Sequence, residues 1–178
     1  MDKRLLAVLI AVAAALGVAS FILFLHPGAV GGERLEAPRT MLGSPAVKVI
    51  SGKEAAEMAN RIHWSHYVGV VKALIVRYAD GSMIWVSVVK GGDAPRYADM
   101  MADRIMLYES SSIMPYEILE VVRMGACKVY LALDKRTDKI HAFWGIGDKV
   151  IWAELYRRGS PRNTEALKLL TRFYGCYS

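Results

Sequence analysis

His63 and His66 lie three residues apart in His63-Trp64-Ser65-His66, close enough to share a metal ion if the segment is helical. A zinc centre needs further ligands at a diagnostic spacing, and His26 and His141 are distant in the chain. The pair is a metal candidate only, and no metal and no cofactor is expected. An aromatic-polar corner between a helix and a sheet accounts for the same residues. Nucleophilic catalysis needs Ser or Cys beside an aligned base. Ser110, Ser111, Ser112 and Cys127 are available, but no G-x-S-x-G elbow supports them. Asp134 and Asp138 could act as an acid–base pair, yet beside Lys135, Arg136 and Lys139 they read as turn-formers and surface charge pairs. Gly145-Ile146-Gly147 is too short for a phosphate-cradling loop and follows a strand of a meander. No catalytic residue is assigned, and the chain reads as a non-enzyme.

Two further sets bear on binding and location. Trp152, Tyr156, Arg157 and Arg158 combine the side chains enriched in interface hot spots, so they form the candidate interface. Cys127 and Cys176 are the two cysteines and the disulfide candidates. Neither belongs to a C-x-x-C pair, which argues against zinc. A bridge between them would close a loop of roughly 50 residues and contribute about 4 kcal/mol in the chain-entropy account. Two buried thiols that never meet are the alternative.

Positioning elements follow from hydrophobic periodicity and breakers. Residues 5–25 read LLAVLIAVAAALGVASFILFL, uncharged and long enough to span a bilayer as a helix. A cleaved secretory signal is the competing reading; its apolar core is usually shorter. Lys3 and Arg4 abut the N-terminal end, so residues 1–4 are expected in the cytoplasm and the rest outside. Residues 26–45 hold Pro27, Gly28, Gly31, Gly32, Pro38, Gly43 and Pro45 and read as a linker. Residues 46–178 then form one domain. Val47–Ile50 is a short strand candidate. Ser51-Gly52-Lys53-Glu54 fits a capping box, and Ala55, Met58, Ala59 and Ile62 give the apolar face of the helix it opens. Tyr67–Tyr78 and Met83–Lys90 flank Asp80-Gly81, a hairpin signal. Asp93 caps a second helix, with Pro95 in its first turn and Ala98, Met101, Ile105 and Tyr108 as its stripe. Strands follow at Ile118–Met124, Val129–Leu133 and Ile140–Trp144, while Val150–Leu155 fits a strand or a helical turn. Ser160-Pro161 opens the last helix, which buries Ala166, Leu167, Leu170, Phe173 and Tyr174 and ends at Gly175. Met58–Ile62 and Met101–Ile105 nearly match, which fits a duplication or two similar amphipathic helices.

The order helix, two strands, helix, three strands, helix resembles the roadblock domain, a profilin-like fold. The resemblance covers Ser51 to about Gly175. It rests on the Asp80-Gly81 hairpin, the central helix and the meander through Ile118, Val129 and Ile140. It implies a dimeric scaffold of the kind that binds small GTPases. The expected fold class is therefore α+β: an N-terminal transmembrane helix, then one antiparallel meander sheet covered by helices.

The net charge is +6, with Arg157, Arg158, Arg162, Lys168 and Arg172 as its densest stretch. It could attract an acidic partner or anionic headgroups, or simply be a solvated helix face. No recognition element or stacking platform accompanies it, which excludes nucleic acid. The chain has no Gln and two Asn, a thermophile-like depletion. Taken together, the residues predict a single-pass, membrane-anchored, non-catalytic binding, sensory or accessory domain outside the cytoplasm. Its expected partners are the bilayer through residues 5–25 and either a second copy or other subunits of a membrane complex. The alternatives are a cytoplasmic roadblock-like scaffold for a small GTPase and a membrane-tethered hydrolase.

Overall fold

The computed structural model describes residues 35–62, 69–111 and 114–177, and residues from Leu35 onward form one compact unit. Its elements are β1 (Thr40–Met41), β2 (Ser44–Ser51), α1 (Gly52–Ile62), β3 (Val70–Tyr78), β4 (Met83–Val89), α2 (Ala94–Tyr108), β5 (Tyr116–Met124), β6 (Cys127–Asp134), β7 (Lys139–Ile146), β8 (Lys149–Arg157) and α3 (Arg162–Phe173).

The eight strands make one antiparallel sheet in the order β1-β2-β3-β4-β8-β7-β6-β5. Every connection is to a sequence neighbour except one: β4 pairs with β8, with Trp85 opposite Trp152. That pairing fuses the hairpin β3–β4 and the meander β5–β8 into a single half-barrel. One edge of the sheet is β1, only two residues long. The other is β5, broken by a bulge between Ile118 and Glu120. Short strands, bulges and edge charges all discourage pairing with other chains.

Local chemistry sets the turns. At the β3–β4 turn Gly81 has φ +82, and the Ser82 amide donates to Asp80 Oδ1 at 3.0 Å. Gly52, at φ +70, turns the chain from β2 straight into α1. Asp93 caps α2 by accepting from the Arg96 amide at 3.2 Å. Ser160 gives α3 no side-chain cap; Pro161 holds that position and the helix starts at Arg162.

The sheet is covered on both faces. On one, α1 lays Ala55, Ala56 and Ala59 on Val70, Ala73 and Ile75, and Asn60 clasps the Val70 backbone with two 3.0 Å hydrogen bonds. Beside it α2 lays Ala98, Ala102 and Ile105 on Tyr130, Ala132 and Phe143. Ala59 and Ala102, equivalent in the near-repeat, are both buried. The opposite face carries the main core, with Trp144, Tyr78, Ile151 and Leu155 under Ala166, Leu167 and Leu170 of α3.

Two parts of the expected fold class are corrected. The sheet is an eight-stranded half-barrel with three helices, not the smaller meander expected. Thr40–Met41 is a strand the sequence did not suggest, Ser44–Ser51 extends the strand candidate Val47–Ile50, and Lys149–Arg157 resolves Val150–Leu155 as a strand, inside the sheet between β4 and β7. Thr40–Met41 and the start of β2 lie within the stretch read as a linker, and Met41 is fully buried. Among the described residues, no helix is long and apolar enough to cross a membrane. The expected span 5–25 lies outside the described residues, so nothing described supports the membrane and single-pass assignments.

Candidate binding surface

A shallow open groove runs between the chain leading into β1 and the outer face of α3. Pro38, Arg39 and Thr40 form one wall; Glu165, Lys168, Leu169, Arg172 and Phe173 form the other. The helix residues recur at spacings of three and four, which aligns them on one helical face. The opposing wall is held by two tyrosines. Tyr78 donates its hydroxyl to the Pro38 carbonyl at 2.8 Å, and Tyr174 donates to the Glu36 carbonyl at 3.2 Å. Burial raises the pKa of both hydroxyls, so they stay protonated donors. The backbone on either side of Arg39 is thereby held, and Arg39 lines the same groove as Lys168 and Arg172. None of the three cations has an ion-pair partner among the described residues. One carboxylate, Glu165, shares the groove, and Phe173 is 44% exposed.

A second polar cluster is internally satisfied. Asp80 Oδ2 accepts from the Tyr156 hydroxyl at 2.7 Å and from Arg162 at 3.0 Å, while Oδ1 accepts from the Ser82 hydroxyl at 2.7 Å. Burial pushes the Asp80 pKa up, but the hydrogen bonds from Ser82, Tyr156 and Ser44 outweigh it and hold the pKa at about 2. Tyr156 is correspondingly pushed up to about 12, by burial and then by its bond to Asp80. This cluster ties the β3–β4 turn to β8 and α3. Its pH dependence follows. The folded pKa lies below the ordinary 3.8, so the stabilisation is full above that value and is lost as pH falls towards 2. The difference is worth about 2 kcal/mol. Asp80→Asn is expected to lose about that much at neutral pH, and its deficit should shrink between pH 4 and roughly 2 in a pH series of thermal melts. A deficit that did not change with pH would show that the carboxylate charge is not what holds the turn.

On the other face His141 is buried, and its Nδ1 accepts from Trp152 Nε1 at 2.8 Å. The proton therefore sits on Nε2, which has no partner. Burial lowers the imidazole pKa against the opposing pull of Glu154 and Asp134, so the ring is kept neutral. Tyr116 packs edge-on against both rings, 5.1 Å from His141 and 5.4 Å from Trp152.

The structure distributes the expected site residues as follows. Trp152 stacks on Phe143 at 4.7 Å in the cluster under α2, whereas Tyr156 joins the core under α3, with Arg162 lying 4.2 Å over its ring. Arg157 and Arg158 are exposed, and Arg158 lies 3.8 Å from Asp138. The expected interface quartet is thus divided between the two faces and the end of β8. Cys127 and Cys176 form a disulfide, so Cys127 offers no thiolate. Asp134 is buried and held by Arg136 at 3.2 Å. Ser111 accepts from the Met114 amide. His63, His66 and Ser112 lie outside the described residues. Among the described residues, no three metal-ligating side chains converge.

Sequence reasoning missed the groove. Lys168 and Arg172 stood out only as part of a basic stretch, and Leu169 and Phe173 line the groove beside them. Nothing local marked Arg39, which joins them only through the fold. Comparison with protein-family models, curated proteins and solved structures found no match.

Proposed function

We propose that this chain is a non-catalytic binding domain of an oxidising, extracytoplasmic compartment, and that its groove takes an acidic segment of a protein partner. The observation that carries this reading is the set Arg39, Lys168 and Arg172, three cations without counter-ions around Leu169 and Phe173. Apolar side chains flanked by an excess of positive charge, three cations to the one carboxylate Glu165, favour a partner that brings negative charge and a hydrophobic anchor. The Cys127–Cys176 bridge supports the compartment, since such bonds persist where thiols are not kept reduced. The network around Asp80 fits the non-catalytic reading, since its hydrogen bonds hold the β3–β4 turn to β8 and α3.

The test is fluorescence anisotropy with a labelled peptide of alternating Glu and Leu. Binding is expected to weaken as salt rises and to fall at least about tenfold in the K168E/R172E variant. R157E/R158E, which reverses two exposed cations away from the groove, should leave it unchanged. No binding, or equal binding by K168E/R172E, would overturn the groove. Loss in R157E/R158E instead would move the site to the end of β8.

A further inference from the structure

Among the described residues, two buried side-chain polar atoms lack a hydrogen-bond partner, Trp144 Nε1 and His141 Nε2. Indole does not titrate near neutral pH, but imidazole does. His141 is buried, and its Nδ1 accepts from Trp152 Nε1 at 2.8 Å. An indole N–H can only donate. A proton on Nδ1 would set donor against donor, break that bond and leave a buried cation.

Charged and titratable groups face the ring from each neighbouring strand. β8 brings Glu154, opposite His141 in register. β6 brings Asp134, held by Arg136 of the β6–β7 turn. β5 brings Tyr116, packed edge-on, and β7 itself brings Lys139, ion-paired with Glu154. α2 reaches the cluster through Ala98, Ala102 and Ile105 and, at Tyr130, through Asp99. A proton would therefore turn the ring from Trp152 towards Glu154, the carboxylate across from it. The disturbance passes to α2 by contact. Trp152 stacks on Phe143 at 4.7 Å, Phe143 stacks on Tyr130 at 5.1 Å, and the Tyr130 hydroxyl donates to Asp99 of α2. Phe143 and Tyr130 belong to the bed on which α2 rests, and Trp152 packs against it.

We infer that His141 and Trp152 form an acid-sensitive latch: protonation turns His141 from Trp152 to Glu154, and the freed indole unseats α2 from the sheet. The latch is separate from the groove beside α3 and does not rest on it. Burial holds the imidazole pKa below the ordinary 6.5, so the latch is closed above that pH and opens as pH falls below it. An NMR titration of the intact chain, with the His141 signal assigned by its loss in H141N, should place the midpoint below 6.5. W152F removes the donor facing Nδ1, so the midpoint should rise towards 6.5, whereas burial alone would leave it in place. An unmoved midpoint in W152F, or a native one at or above 6.5, would overturn the latch. Hydrogen exchange along α2, corrected for the intrinsic rate, is the second readout. Between pH 6.5 and about 4.5 its protection should fall by up to about tenfold per pH unit, the slope that one proton gives, while α1 keeps its own. In H141N the amide oxygen stands where Nδ1 stood and accepts from Trp152 without titrating, so α2 should stay protected across that range. A native α2 that is equally protected throughout, or that loosens only together with α1, would overturn the inference. So would an H141N chain whose α2 loosens as the native one does.

Discussion

Replacing both Cys127 and Cys176 with serine is expected to lower the unfolding free energy by about 4 kcal/mol, the largest effect of any change considered for this domain. The two cysteines lie 49 residues apart in sequence, so the bridge removes a long loop's freedom from the unfolded chain. Its ends are also tied natively. Cys127 opens β6, and Cys176 follows α3, where its amide donates to the Thr171 carbonyl at 2.8 Å. The Cys176 carbonyl in turn accepts from the Ala126 amide at 2.7 Å, which fastens the C-terminal tail to the β5–β6 turn. Denaturant unfolding of the double variant, and of the native chain with and without dithiothreitol, measures the effect. A midpoint shift worth under about 1 kcal/mol would show that packing of α3 alone fixes the tail. The same experiment bears on binding. α3 carries Lys168 and Arg172, so a chain loosened at the end of α3 should lose affinity for the acidic peptide while keeping its secondary structure.

Gly145→Ala is expected to cost about 3 kcal/mol and to lift the start of α2 from the sheet. Gly145 lies in β7 directly under the first residues of α2. A Cβ there would sit 2.1 Å from the Ala94 carbonyl and 2.2 Å from the Pro95 nitrogen. Both obstacles are backbone, so no side-chain rotation relieves them. The helix start would have to move, and the Ala94 amide would lose its 3.1 Å bond to the Gly147 carbonyl. Gly147→Ala is the control. Nothing lies within 4 Å of its Cβ position, and its φ of +57 costs only about 1–2 kcal/mol. Hydrogen exchange along α2 should accelerate in the first variant and not in the second. A loss in Gly145→Ala no larger than in Gly147→Ala would mean that the start of α2 yields to the added Cβ at little cost.

Which parts of the site were legible follows from how local their signals are. The Asp80-Gly81 turn, the Asp93 cap and the helices around Ala59, Ala102 and Leu170 are written in a few adjacent residues, and each appears where the spacing put it. Strand membership was less legible. Val47–Ile50 was readable as a strand, but residues 40–45 carry the Pro and Gly of a loop, so β1 and the start of β2 have little local signature. The groove was not legible. Its walls come from opposite ends of the domain and meet because Tyr78 and Tyr174 anchor backbone carbonyls near Pro38.

The sequence by itself determined the turns, most of each helix face and the set of chemically capable residues, because each depends on neighbours within a turn or a strand; Phe173 and Tyr108, expected on the apolar faces, are exposed. It also restricted any disulfide within the chain to one pair, since only two cysteines exist. The tertiary structure alone decided that β4 pairs with β8, that Cys127 meets Cys176, that Trp152 and Tyr156 part company, and that Arg39 faces Lys168 and Arg172. These contacts join residues far apart in the chain. They form only when the summed burial of a whole sheet and its helices outweighs the entropy of closing long loops. No short stretch of sequence carries that sum.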